Sequence, residues 1–116
     1  MNYTATVQQY LSALQDMRYA RMVPCSDSIR RNIRVIARNL KREGTDFKYL
    51  VNEERKARIL AAIQADPKIM SRDLANVCGV SSGDKFRRLI KQYTGLRIEE
   101  FRQDAASNMT AELHRA

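Results

Sequence analysis

The chain is poor in the residues on which most small enzymes and metal sites depend. Among its 116 residues there is no Trp, one His (His114) and only two Cys, at Cys25 and Cys78. The two thiols do not form a CxxC pair, and one His leaves too few ligands for a zinc site of the usual kind. No Ser-His-Asp set, phosphate-binding loop or carboxylate pair can be assembled. We therefore expect no enzyme, no metal site and no cofactor.

Other scarcities exclude further classes of protein. Four Gly and two Pro are too few for a low-complexity or linker-dominated chain. Nowhere do about 18 apolar residues run together, so no transmembrane helix is expected. Residues 1–11 lack the basic start and the apolar run of a signal peptide. Cys25 and Cys78 are then expected to be buried, reduced thiols of a cytoplasmic protein.

Positive charge is what the sequence has in excess. Lys and Arg number 21 against 13 Asp and Glu, which gives a formal net charge of +8. An excess of this size in a short chain favours a polyanionic partner, with nucleic acid first and an anionic membrane surface second. The apolar content of 44% is enough for a modest core, in one compact domain or two very small ones.

Apolar residues at helical spacing predict an all-α fold along nearly the whole chain. Pro24 is expected to end a first helix, whose apolar line is Val7, Tyr10, Leu11, Leu14 and Met17. Ser26 or Asp27 would cap a second helix, which would end at Gly44 and whose apolar line is Ile29, Ile33, Ile36 and Leu40. Thr45 would open a long helix that ends at Asp66-Pro67 and buries Phe47, Leu50, Val51, Ala57, Leu60 and Ile63.

Residues 71–93 have the pattern of a helix-turn-helix. Ser71 would cap a short helix, Gly79 would supply the positive φ of a tight turn, and Ser82 would cap a second helix. The residues expected to pack inside are Leu74, Ala75, Val80, Phe86, Leu89, Ile90 and Tyr93. The exposed residues of the second helix are then Asp84, Lys85, Arg87, Arg88 and Lys91. Gly95 would end this helix, and a last helix is expected from Ile98 to about Ser107.

The charges on this second helix all have one sign from Lys85 to Lys91, where four cations and no acid occur. An α-helix fits the major groove of B-DNA, and Arg can pair bidentately with guanine there. Arg88 and Lys91 could instead hold phosphates. The alternative is that the charges are only a solvated helix face. Their single sign favours DNA binding.

The same segment resembles the second half of the AraC/XylS-type DNA-binding domain. The shared spacings are carried by Ala75, Gly79-Val80, Phe86 to Lys91, Thr94-Gly95 and Phe101-Arg102. Val80 and Ile90 stand where the family has aromatics, and Ile98 stands where it has Pro. Upstream, this chain is also similar to the first recognition helix and the linker helix of the family. The matching residues are Ile36, Arg38, Leu40, Gly44, Phe47, Leu50 and Arg55. The resemblance implies two helix-turn-helix subdomains in tandem, joined by a long linker helix.

The resemblance weakens before Ile36, where the family has a Gly turn and a Ser cap but this chain has Arg30 and Asn32. Either the first unit is divergent, or residues 27–43 form one continuous helix and the first helix-turn-helix is degenerate. The cations that would lie opposite the apolar line are Arg30, Arg31, Arg34, Arg38 and Lys41. By the resemblance, Arg34 and Arg38 are candidates for base contacts. Arg30, Arg31 and Lys41 are expected at phosphates.

These patterns predict a sequence-specific, double-stranded DNA-binding transcriptional regulator. The expected segments are an N-terminal subdomain (1–44), a linker helix (45–66), a C-terminal helix-turn-helix (67–107) and a tail (108–116). A linker helix of roughly 30 Å would suit major-groove faces about 34 Å apart, so the simplest expectation is a monomer on an asymmetric site. The activity of the protein would be regulated by its own abundance, by another regulator or by RNA polymerase. The expected location is the cytoplasm. The expected origin is a bacterium, a plasmid or a phage.

Two alternatives remain open. The chain is an accessory or architectural DNA-binding protein, of the kind that plasmids and phages encode, in which only the C-terminal unit reads bases. Or it is a protein-interaction module with a helix-turn-helix fold and no DNA binding.

Overall fold

The regular structure is helical throughout the residues that the computed structural model describes, which are 2–80, 83–95, 99–100 and 103. The α-helices are α1 (Tyr3–Ala13), α2 (Met22–Ile29), α3 (Ile33–Arg42), α4 (Phe47–Ala65), α5 (Ser71–Val77) and α6 (Gly83–Thr94). A 3-10 turn (Met17–Tyr19) lies between α1 and α2. The predicted all-α fold is confirmed. In these residues no helix has the length and apolar character needed to cross a membrane.

The chain divides into two compact units, unit 1 (residues 1–56) and unit 2 (residues 57–116). The core of unit 1 consists of Val7, Leu11, Met17, Ala20, Cys25, Ile36, Leu40, Leu50 and Val51. The core of unit 2 consists of Ile59, Ile63, Leu74, Ala75, Cys78, Phe86 and Ile90. Both cores take residues from α4. The finer division at residues 44, 66 and 107 stays a prediction.

Helix α1 is shorter than its apolar line. It begins after Asn2, whose Oδ1 accepts a hydrogen bond from the Ala5 backbone N–H at 3.0 Å, and it ends at Ala13. Met17, expected on the same helix, lies in the 3-10 turn, which begins after Asp16. None of the residues of α1 is charged.

Pro24 lies at the start of a helix, and the expectation that it ends one is wrong. It is the third residue of α2, where a backbone N–H has no partner within the helix, so the proline ring removes no hydrogen bond. Ser26 and Asp27 lie inside α2, so neither caps the next helix. Ile36 and Leu40 are fully buried as expected, but Ile33 is 39% exposed.

Asp46, not Thr45, caps α4. Its carboxylate accepts from the Tyr49 N–H at 2.8 Å, and its carbonyl accepts from the Leu50 N–H at 3.2 Å. Ala57, expected inside, is exposed, and Ile59, which we did not single out, is fully buried. Leu50, Val51 and Ile63 are buried as expected. A single apolar line predicts α4 incompletely because the helix contributes to two separate cores.

Candidate nucleic-acid interface

Helices α2 and α3 are joined by a left-handed turn centred on Arg30. Arg30 has φ 56° and ψ 46°, and it alone among the described non-glycine residues has a positive φ. The Arg30 and Arg31 backbone N–H groups both donate to the Ser26 carbonyl oxygen, the second at 3.2 Å. The Ser26 hydroxyl donates to the Arg31 carbonyl oxygen. Helices commonly end in such a turn, usually with Gly at the left-handed position.

Asn32 starts α3. Its Oδ1 accepts from the Arg34 N–H at 2.8 Å, and its carbonyl accepts from the Ile36 N–H at 3.0 Å. Arg30 and Asn32 therefore adopt the conformations for which the family that the sequence resembles uses Gly and Ser. The alternative of a continuous helix over residues 27–43 is wrong, because this turn separates α2 from α3.

The turn after α5 contains a backbone hydrogen bond equivalent to one in the turn between α2 and α3. Gly79 has φ 74°, and the Val80 N–H donates to the Ala75 carbonyl at 2.9 Å, across the same span as the bond from Arg31 to Ser26. Leu74 and Ala75 are buried, as expected, and Val80 packs against the core that contains them. Helix α5 follows Met70, which makes no side-chain capping bond, so Ser71 is its first residue and not its cap. Ser82 lies outside the described residues.

Helices α3 and α6 match at a spacing of fifty residues. The matched pairs are Ile36 with Phe86, Leu40 with Ile90, Arg38 with Arg88 and Lys41 with Lys91. The first two pairs are fully buried and the other two are exposed. Cations therefore occupy the same positions relative to the buried face in both helices. Comparing the sequence with itself at this spacing would have shown the equivalence.

Every predicted contact residue is exposed. These are Arg30, Arg31, Arg34, Arg38 and Lys41 in unit 1, and Asp84, Lys85, Arg87, Arg88 and Lys91 in unit 2. In unit 1 the first two lie in the turn and the other three on α3. All five predicted residues of unit 2 lie on α6. Their contact with DNA stays a prediction.

Glu43, the acid that follows α3, is engaged at the start of α1. Its two carboxylate oxygens accept from the Tyr3 N–H at 3.0 Å and the Thr4 N–H at 2.8 Å. These hydrogen bonds, those from Thr4 first, hold the pKa of Glu43 below its ordinary value. Helix α3 itself contains no acid. Sequence reasoning missed this link because about forty residues separate its ends.

An open cleft of about 600 Å³ in unit 2 adds two cations to the basic surface. It is lined by Lys68, Arg72 and Arg87, with Asp84 as its acid. Met70, which also lines the cleft, is 60% exposed. Lys68 and Arg72 were not among the predicted contacts, although their charge is visible in the sequence.

Both thiols are buried, as expected, and they do not form a disulfide with each other. Burial raises the pKa of Cys25 to about 11, so this thiol is protonated at neutral pH. His114, Tyr93's side chain and the predicted last helix beyond residue 103 lie outside the described residues. Within the described part of the chain, no cluster of three or more His, Cys, Asp or Glu could hold a metal ion.

Two comparisons connect this fold with known proteins. The chain is 27% identical over 96 residues to the HTH-type transcriptional regulator VqsM of Pseudomonas aeruginosa, which covers 83% of this chain but only 29% of that protein. It is also similar in structure to a DNA-binding transcriptional dual regulator from Escherichia coli K-12. The TM-score is 0.74 over 92% of this chain and 95% of the other, at 19% identity, which shows a shared fold. No protein-family model matches the sequence.

Proposed function

We propose that this chain binds double-stranded DNA as a sequence-specific transcriptional regulator of the AraC/XylS type, with α3 and α6 as its recognition helices. The observation that carries the proposal is the repeated construction of the two units. Each has a short helix, a left-handed turn and a second helix whose exposed cations lie at matched positions. The similarity to an HTH-type regulator and to a DNA-binding dual regulator supports it.

The matched positions suggest the role of each cation. Arg38 and Arg88 are equivalent, and we assign both to base edges, together with Arg34 and Arg87, because Arg can pair bidentately with guanine in the major groove. Lys41 and Lys91 are equivalent as well. They lie about one turn further along their helices, and we assign them to backbone phosphates.

The number of phosphate contacts determines how steeply the proposed DNA affinity falls as the salt concentration rises. Arg30, Arg31, Lys41 and Lys91, with one of the remaining cations, would neutralise about five phosphates. The slope of log affinity against log salt is then about −4.5, so doubling the salt concentration weakens binding roughly twentyfold. Such a slope would exclude a protein-interaction module that does not bind DNA.

The decisive experiment is selection of duplexes from a genomic library by the native chain, followed by gel-shift titration. We expect a selected motif of two blocks about one helical turn apart, bound by one copy of the chain. Helix α4, with 19 residues, is about 28 Å long, which is why we propose adjacent grooves. Binding without any sequence preference would contradict the proposal.

A pair of variants distinguishes the regulator from an accessory DNA-binding protein. The double substitution Arg34→Ala and Arg38→Ala should relax the preference in one block while leaving the other intact. Lys41→Ala is the matched control from the same helix, and it should weaken all sequences equally. If the double variant also loses affinity equally for all sequences, α3 contacts only phosphates and the accessory function is favoured. RNA polymerase or a second regulator is the further partner that we propose for a regulator.

A further inference from the structure

Ile33 is an exposed apolar side chain on a basic helix. It is 39% exposed, whereas Ile36 and Leu40, the next members of its apolar line, are fully buried. Burial of a complete Ile side chain stabilises a protein by about 1.5–3 kcal/mol, and the exposed part of Ile33 contributes none of this to unit 1.

The neighbours of Ile33 place it beside the proposed base contacts. It is the first residue of α3, directly after the Asn32 cap. Residues four apart lie on the same side of a helix, so Ile33 is followed by Ala37, and Arg34 is followed by Arg38. All four are exposed. An apolar strip of Ile33 and Ala37 therefore runs alongside the two arginines.

The one amide side chain of α3 is committed elsewhere. Asn39 is half-buried, and its Nδ2 donates to the Val35 carbonyl at 2.8 Å. Asn is the usual partner of adenine, so this helix lacks a free adenine reader. Arginine pairs with guanine, and the apolar group of the major groove is the C5-methyl of thymine.

We propose that Ile33, flanked by Ala37, contacts the C5-methyl of a thymine next to the guanine bound by Arg34 or Arg38. The inference rests on the proposed function and adds a base preference to it. Helix α6 differs at the matched positions, where Gly83 replaces Ile33 and Arg87 replaces Ala37. The methyl contact therefore belongs to the block that α3 reads.

Replacing single thymines by deoxyuridine in the selected duplex tests the proposal, because this change removes only the methyl group. The α3 block is identified as the one whose preference Arg34→Ala relaxes. At one thymine there, we expect deoxyuridine to weaken the native chain about fourfold, which corresponds to ~0.8 kcal/mol for one buried carbon. Thymines in the α6 block are the matched control and should show no dependence on residue 33.

Variants of Ile33 identify the side chain responsible. Ile33→Ala should bind the thymine and deoxyuridine duplexes equally, while Ile33→Val should keep most of the difference. Thermal unfolding of each variant checks its fold, and the duplex series with the native chain gives a result that depends on no variant.

Two results would overturn the inference and leave the proposed function standing. In the first, the native chain tolerates deoxyuridine throughout the α3 block although Arg34→Ala relaxes its preference. In the second, the methyl dependence persists in Ile33→Ala. If no duplex motif is selected at all, the proposed function itself fails.

Discussion

Replacing Arg30 by Gly tests the left-handed turn between α2 and α3. Arg30 has φ 56° and ψ 46°. A side chain with a Cβ pays about 1–2 kcal/mol for this conformation, whereas Gly adopts it freely. The comparison variant is Arg30→Ala, which removes the same charge but keeps the Cβ. Both variants therefore lose any phosphate contact of Arg30 equally, and they differ only in backbone preference.

The expected difference in stability between the two variants follows from two opposing contributions to the free energy of unfolding. Gly avoids the strain of the left-handed conformation but loses about 0.5–1 kcal/mol more conformational entropy on folding. Arg30→Gly should therefore be more stable than Arg30→Ala by roughly 0.5–1 kcal/mol. For a unit of this size, that raises the melting temperature by about 2–8 °C. If residues 27–43 instead formed a continuous helix, Gly would be less stable than Ala by about 1 kcal/mol, which reverses the sign.

Urea unfolding followed by far-ultraviolet circular dichroism measures this difference. Arg31 provides the control position, because its φ is not positive and Gly there should be less stable than Ala. A higher midpoint for Arg30→Ala than for Arg30→Gly would refute the left-handed turn. Equal loss of DNA affinity in the two Arg30 variants would show that the effect on binding comes from the charge.

Three further predictions concern the stability of the chain. The lowered pKa of Glu43 means that its stabilising bonds to Tyr3 and Thr4 are complete above its ordinary pKa of 4.5 and are lost as the pH falls through the lowered value. Glu43→Gln should therefore have a lower melting temperature than the native chain at neutral pH, and the difference should narrow as the pH falls. A difference that does not change with pH would contradict this. Phe86 is fully buried, so Phe86→Ala should cost about 3–5 kcal/mol in urea unfolding, and a cost under 1 kcal/mol would refute its place in the core. The raised pKa of Cys25 predicts slow alkylation at about pH 8 in the native chain and rapid alkylation in guanidinium; equal rates would show an accessible thiolate.

The sequence predicts the helices best where one apolar face meets one core. Ile36, Leu40, Phe86 and Ile90 were assigned to the interior from spacing alone, and all are fully buried. The prediction was less complete for α4: Leu50, Val51 and Ile63 are buried as expected, but Ala57 is exposed and Ile59 was missed, because the helix contributes to two cores.

Turns and caps were harder to predict, because a local signal can have two meanings. Pro24 is compatible with the end of one helix or the first turn of the next, and the sequence does not distinguish them. Arg30 in a left-handed conformation contradicts the preference for Gly, so spacing left the first turn undecided. The bonds from Glu43 to the start of α1 join residues far apart in sequence, which no local pattern shows.

The uncharged helix α1 has a consequence for how unit 1 approaches a polyanion. It packs against α3, which carries Arg34, Arg38, Lys41 and Arg42, so within this pair of helices the cations all lie on α3. If the chain binds DNA as proposed, the field of the duplex would act mainly on α3 in this pair of helices before the two molecules touch. Encounters led by α3 would then be favoured, which would raise the association rate more than the lifetime of the complex. Salt screens this field within about 10 Å at 0.1 M, so the bias fades as the ionic strength rises.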